Sequence, residues 1–227
     1  MNTYTYWENA PGQERPAYIG YCLDTITARS NHVHLHPGNI HEHVKDLHPE
    51  WDTIECLAHK ADYLRTCILQ ENGGLWIDCD MIMTAEPVEV ENALASGSDY
   101  VCTFNRFNQP AISYIGSQKG GTVITNWRKD IEDYLDSGKT VFNWTQIGSD
   151  LVAKSLATVN WTKLASERVL PIPFTDWPVL LTEADWTPPE DTLCIALYNS
   201  LLPKEIKECD DILSRDLLLS KLLRAYL

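Results

Sequence analysis

Two carboxylates one residue apart, Asp78 and Asp80, are the side chains of this sequence with the clearest chemical potential. They end an apolar run that starts at Leu75, and the run predicts a strand over 75–80. Alternate residues of a strand share a face. Trp76, Asp78 and Asp80 are therefore expected on one side, and Leu75, Ile77 and Cys79 on the packed side. At strand rise the two aspartates lie roughly 6–7 Å apart at Cα. Both can then reach one hard divalent cation, directly or through water. Like charges on one strand face repel unless a cation or water compensates. With 17 aspartates in the chain, chance alone supplies about one such pair, so a solvated strand end is the plain alternative.

A second charged pair, Asp62 and Arg65, precedes the first. Ile54, Leu57, Ala58, Ala61, Leu64 and Ile68 recur at helical spacing, and Asn72-Gly73-Gly74 stops that helix with a glycine in the left-handed cap conformation. Asp62 and Arg65 are neighbours at i,i+3. On a surface such a pair is worth ~0.3 kcal/mol. In a site, Asp62 would accept hydrogen bonds from sugar hydroxyls, while Arg65 would hold Asp62 and face a sugar or phosphate oxygen. Spacing leaves both readings open. His32, His34 and His36 also share one face of an expected strand, and three imidazoles there could bind zinc. No accompanying zinc signature exists, and an edge strand with solvated histidines is the favoured reading.

The elements that must carry these residues follow from the pattern. Thr3–Trp7 reads as an opening strand, Pro16 starts a helix through Ile26, and His32–His36 is a second strand. A short helix covers Ile40–Leu47. Further strands are expected over Asp99–Asn105, Ala111–Ile115 and Thr192–Tyr198. Helices are expected over Gly121–Leu135, Gln146–Leu156 and Ile206–Leu223, the last Leu-rich and amphipathic. Early alternation of strands and helices predicts an α/β fold with a largely parallel sheet, and such sheets bind ligands at the carboxyl ends of their strands.

Composition narrows the function classes. The 227 residues carry 18 Lys+Arg against 32 Asp+Glu, a net charge of −14. That balance disfavours nucleic-acid backbones and anionic membranes. No apolar run approaches the ~18–20 residues that span a bilayer, and Met1–Glu8 is not a signal peptide. Seven cysteines without a C-x-x-C pair point to a reducing compartment, so a cytoplasmic location is expected. The chain ends inside its Leu-rich helix without a polar tail, as the N-terminal part of a longer protein would.

Ala61-Asp62-Tyr63-Leu64-Arg65 followed by Gly73-Gly74-Leu75-Trp76-Ile77-Asp78-Cys79-Asp80 resembles the sugar-binding region of glycosyltransferase family 32. That group includes capsular-polysaccharide and yeast mannosyl enzymes, and the glucosylating clostridial toxins share its core. The chain is also similar to virus-encoded glycosyltransferase domains, for which the location would be the host cytoplasm. Tyr6-Trp7-Glu8 with Pro16-Ala17-Tyr18-Ile19 is similar to the family's opening strand and helix. Ile147-Gly148-Ser149-Asp150-Leu151 resembles its "G-P" segment, with Ser149 where Pro is usual. Ala196-Leu197-Tyr198-Asn199 resembles its late H-L-W-N segment, with Ala196 where His is usual.

The resemblance implies a GT-A fold, α/β with a central, mostly parallel mixed sheet flanked by helices. It implies one domain over 1–227, with a nucleotide-sugar half over about 1–105 and an acceptor half over about 106–227. The implied reaction is metal-dependent, retaining transfer of a sugar from a nucleotide diphosphate, UDP-sugar favoured over GDP-sugar, to a glycan acceptor. Carried over by position, Asp78 and Asp80 hold Mn²⁺ (or Mg²⁺), with Asn199 as the remaining candidate ligand. Tyr6, Trp7, Asp62, Arg65, Trp76 and Asp78 bind the donor, with Trp7 near the base, and Asp62, Arg65 and Asp80 are the catalytic candidates. A metal on the phosphates stabilises the leaving charge and lets an acidic protein hold an anionic donor. Two other readings remain. One is a sugar-nucleotide-binding module that has lost catalysis, favoured by Ala196. The other is a haloacid-dehalogenase-like phosphohydrolase with an aspartyl nucleophile, disfavoured by Ile82 where Thr or Val is usual.

Overall fold

The computed structural model describes all residues 1–227. The chain runs β1 (Asn2–Tyr6), α1 (Ala17–Arg29), β2 (Asn31–Leu35), α2 (Ile40–His43), α3 (Leu57–Asn72), β3 (Gly74–Ile77), β4 (Met81–Met83), α4 (Val88–Ala95), β5 (Tyr100–Phe104) and β6 (Pro110–Ser117). It continues through α5 (Thr122–Asp136), α6 (Ser149–Leu156), β7 (Trp161–Lys163), α7 (Ser166–Val169), β8 (Cys194–Ala196), α8 (Lys204–Lys207) and α9 (Leu218–Tyr226). Six strands form one sheet in the order β2-β1-β3-β6-β5-β7. The β1–β2, β1–β3 and β5–β7 pairs are parallel, and β6 lies antiparallel to both neighbours. All strands but β6 therefore point the same way, and their carboxyl ends share one edge.

Alternation along the strands builds a core on each face. Leu75, Ile77 and Cys79 pack with α1, α4 and α9, and with the small β4–β8 sheet. Tyr4, Tyr6 and Trp76 point to the opposite face, against α3, α5 and α6. The turn from α3 into β3 is built on glycine. Gly73 has φ 67 and ψ −175, a region essentially reserved for glycine and distinct from the left-handed cap expected. Gly74 has φ 116, and a Cβ there would sit 2.6 Å from the Asn2 carbonyl oxygen.

The structure corrects several boundaries. The β3 strand stops at Ile77, so Asp78 and Asp80 do not share a strand face. They occupy a tight turn into β4, closed by the Met81 amide donating to the Asp78 carbonyl at 3.2 Å. Aspartate favours such turns because its carboxylate and backbone tolerate them. The late strand is only Cys194–Ala196 and pairs antiparallel with β4. The helix expected over 206–223 is broken into α8, a 3-10 turn at Ile212–Ser214 and α9. Asp211 breaks it: its carboxylate accepts from the Ser214 hydroxyl at 3.0 Å and the Arg215 guanidinium at 3.0 Å, a local alternative to helix. The helix expected over 40–47 is a single turn.

The edge position of β2 is as expected, but His32 and His34 are half-buried rather than solvated, while His36, just past the strand, is exposed as expected. His32 and His34 both bond the Thr5 hydroxyl, at 2.9 and 2.8 Å, and burial lowers each to about 4, leaving both neutral at pH 7. No three His, Cys, Asp or Glu side chains converge into a metal cage.

Candidate active site

The site begins with the geometry of a helix, a glycine turn and a strand. Because α3 and β3 run antiparallel, the N-terminal half of α3 lies beside the carboxyl end of β3. Asp62 and Arg65 consequently meet the Asp78-Cys79-Asp80 turn. Arg65 is the hub. Its guanidinium lies 2.9 Å from Asp78 Oδ1 and 3.3 Å from Asp62 Oδ1, donates to the Ile112 carbonyl at 2.7 Å, and stacks 4.9 Å over the Trp76 ring. It is 3% exposed and Asp62 is 6% exposed. The surface-ion-pair reading of Asp62 and Arg65 is thereby excluded.

Trp76 does not open onto a pocket. It is 1% exposed, and its indole N–H donates to Asp78 Oδ1 at 2.7 Å. Its part is to orient the carboxylate from behind. The Asp78 amide donates to the Ser113 carbonyl of β6 at 2.8 Å, which fixes the start of the turn.

Asp80 is fixed from the other side. Antiparallel pairing of Met81 with Ala196 brings the segment after β8 against the turn. The Leu197 amide donates to the Asp80 carbonyl at 2.9 Å, and the Asn199 amide to Asp80 Oδ2 at 2.7 Å. Tyr198 makes this bend with φ 56, a conformation uncommon for a bulky residue. Asn199 Oδ1 accepts from the Tyr18 hydroxyl, so Asn199 supports Asp80 through its backbone while its side-chain oxygen is engaged. Ala196 is buried in the core, where a His would have to displace packing.

The electrostatics are those of crowded, dehydrated carboxylates. Burial pushes Asp62 up to about 7, with Arg65 opposing and Asp78 adding to the shift. Burial and the neighbouring Asp78 push Asp80 up to about 6, against the stabilising Asn199 amide. Burial also raises Asp78, opposed by Arg65 and the Trp76 N–H. Four charged groups with one cation among them leave negative charge uncompensated. The donor set fits a hard divalent ion: two carboxylates are the protein share in sites where substrate phosphates and water complete the shell.

Tyr6 and Trp7 lie at the carboxyl end of β1, beside this turn. Tyr6 is buried, and its hydroxyl donates to Glu8 at 2.6 Å. Trp7 is half-buried, and its indole N–H donates to Asn9 at 2.7 Å. Cys79 sits between the aspartates and donates its thiol to the Tyr6 carbonyl at 3.1 Å, tying the turn to β1. A shallow cavity of about 520 Å³ lies at the opposite end of the sheet, lined by Asn2, Glu42, Lys45 and Glu71. It touches none of these residues.

Sequence reasoning missed four supports. The carbonyls of Ile112 and Ser113 carry no side-chain signal. Gly148 is close enough that a Cβ there would lie 3.3 Å from Asp62 Oδ2 and 2.7 Å from Ile112 Cδ1. Tyr18 reaches the site only through the packing of α1.

This architecture, an open mixed sheet with its charged turn at the carboxyl edge, is that of the GT-A glycosyltransferases. The galactosyltransferase LgtC, solved in complex with donor and acceptor sugar analogs, aligns over 100% of both chains with a TM-score of 0.54 at 11% identity. An active-site mutant of LgtC covers 88% of both chains with a TM-score of 0.52 at 11% identity. The PaToxG glycosyltransferase covers 68% of both chains at 14% identity, with a TM-score of 0.47. The chain belongs to the capsular polysaccharide synthesis protein family, whose model matches residues 21–164. The match is to that capsular family and not to family 32 as such. No curated relative matches significantly. No helix is long and apolar enough to cross a membrane.

Proposed function

We propose that this glycosyltransferase is metal-dependent and retaining, and that it moves a sugar from a UDP-sugar to a glycan acceptor. The observation that carries the reading is the convergence of Asp62, Arg65, Asp78 and Asp80 at the carboxyl edge of the sheet. Retention and the choice of uracil rest on the sequence resemblance, with Trp7 offering a stacking face for the base.

Asp78 and Asp80 would hold Mn²⁺ or Mg²⁺ together with the donor diphosphate. Bound there, the ion supplies Lewis-acid stabilisation of the departing phosphate charge. Arg65 keeps Asp78 aimed and favours its charged form against burial, and the Trp76 N–H does the same from the core side. Asp62, poised near neutrality by burial, would accept hydrogen bonds from the transferred sugar and hold it beside the phosphates. In this reading residues up to about 105 serve mainly the donor and those beyond serve mainly the acceptor. An aspartyl-phosphate mechanism suits the geometry less well, since Asp78 Oδ1 is already engaged by both Arg65 and Trp76.

The test is thermal stabilisation by UDP and by GDP, each with and without Mn²⁺. UDP with Mn²⁺ should raise the melting temperature by an amount that grows with the logarithm of ligand excess, and neither component alone should. Asp80→Ala should abolish the shift while the protein still melts cooperatively. A Mn²⁺-independent shift, or one retained in Asp80→Ala, sinks the metal reading; preference for GDP sinks the choice of base.

A further inference from the structure

The loop between α5 and α6 presents an unusual contrast. Trp144 is 63% exposed and Val141 is exposed beside it. Directly beneath, His59 of α3 is 3% exposed. Its ring lies 6.2 Å from the Trp144 ring and edge-on at 5.8 Å to Phe142, centroid to centroid. His59 Nε2 faces the Trp144 carbonyl at 3.4 Å. A carbonyl only accepts, so Nε2 carries the proton and Nδ1 is a bare acceptor. That Nδ1 is buried and has no partner. Buried acceptors are rarely left so without reason.

The position of this pair matters. His59 and Asp62 are i,i+3 neighbours, about 5–6 Å apart at Cβ. The far end of the same loop, at Gly148, lies close to Asp62, where an added Cβ would sit 3.3 Å from Asp62 Oδ2. The Trp127 indole N–H pins the loop's end by donating to the Ile147 carbonyl at 2.5 Å. An exposed indole, a buried acceptor and the Asp62 carboxylate therefore follow one another along one side of the site.

We propose that Trp144 and His59 form a pyranose subsite for the acceptor glycan, about one sugar ring outward from Asp62. The indole offers its face to the sugar's C–H groups, and a sugar hydroxyl donates to His59 Nδ1 as the lightly held Trp144 ring pivots aside. Indole face and hydroxyl-hungry acceptor together suit a sugar and do not suit a purely apolar partner. The subsite rests on the glycosyl-transfer reading above, but contact with sugar can be measured without nucleotide.

The experiment is saturation-transfer NMR with maltotriose, cellotriose and mannotriose as probes, with and without UDP and Mg²⁺. At least one trisaccharide should receive saturation at its ring C–H protons from the wild-type protein. Trp144→Ala should weaken that binding about tenfold, as loss of an aromatic contact would, and Trp144→Phe should restore most of it. His59→Phe keeps a ring of similar size in the core and should also lose binding. Absence of transfer to all three sugars, or equal binding in Trp144→Ala, overturns the subsite. A missing UDP–Mn²⁺ stabilisation with sugar contact intact would count against the donor reading alone.

Discussion

Replacing Asp62 with asparagine isolates the cost of burying that carboxylate. The unfolded chain releases the Asp62 proton near the ordinary value of 3.8, while the folded protein holds it to about 7. Between roughly pH 4 and 7 the folded state therefore binds more protons than the unfolded state, and stability falls as pH rises. At 1.36 kcal/mol per tenfold in proton affinity, the ionised folded state carries a penalty of at most about 4 kcal/mol. Below about pH 4 both states are protonated and the penalty vanishes. The asparagine amide keeps the shape of the carboxylate without its charge. Asp62→Asn should match wild type in melting temperature near pH 4 and exceed it increasingly towards pH 8. At about 2–4 °C per kcal/mol for a chain of this size, the gap at pH 8 should reach several degrees and at most about 15 °C. Turnover should fall about 100-fold, as expected when a bound reactant is misplaced. Melting curves of both proteins from pH 4 to 8, without nucleotide or metal, provide the measurement. A gap that stays flat with pH, or that narrows, would refute the account of Asp62 as a strained buried acid.

Two further substitutions probe the scaffold. Arg65→Ala strips a buried guanidinium from Asp62, Asp78, the Ile112 carbonyl and the Trp76 face, and should cost about 3–5 kcal/mol as broken buried ion pairs do; a melting temperature within a degree of wild type contradicts that. Gly74→Ala must fit a Cβ at φ 116 against the Asn2 carbonyl, so chemical denaturation should show a loss above about 2 kcal/mol, with no loss if β3 can shift.

The legible part of the site was the part written in local spacing. Gly73-Gly74 announced the turn because only glycine accepts those dihedrals, and the Leu75/Ile77/Cys79 alternation named the packed side correctly. The end of β3 was not legible. Met81–Met83 continues an apolar run past Asp80, and only the β4–β8 pairing reveals that the chain has turned into a second sheet. Arg65 was readable as a partner of Asp62 at i,i+3, but its shorter contact is to Asp78, thirteen residues on. Such a contact depends on the antiparallel return of β3 along α3. Trp76 was expected to line the donor pocket because the family resemblance places it there. It is instead buried between Arg65 and the core, since a strand covered on both faces must bury its alternate residues too.

The uncompensated charge explains why metal and diphosphate should bind as a unit. Asp62 and Asp78 contact one guanidinium and Asp80 lies beside Asp78, so three carboxylates share one cation, and their full or partial burial weakens screening by water. A diphosphate approaching alone meets carboxylates and is repelled. A lone divalent ion finds two protein carboxylates, one of them already tied to Arg65, and lacks the remaining oxygens of its shell. Together, the phosphates supply those oxygens and the ion reverses the sign of the field. Burial first, and then the charge of Asp78, raises the proton affinities of Asp62 and Asp80, and protons offset that cost when the ion is absent. Metal-bound donor should therefore release protons on binding between about pH 4 and 7, and release should fade above that range. Its apparent affinity should strengthen as pH rises through about 6, the value to which Asp80 is pushed.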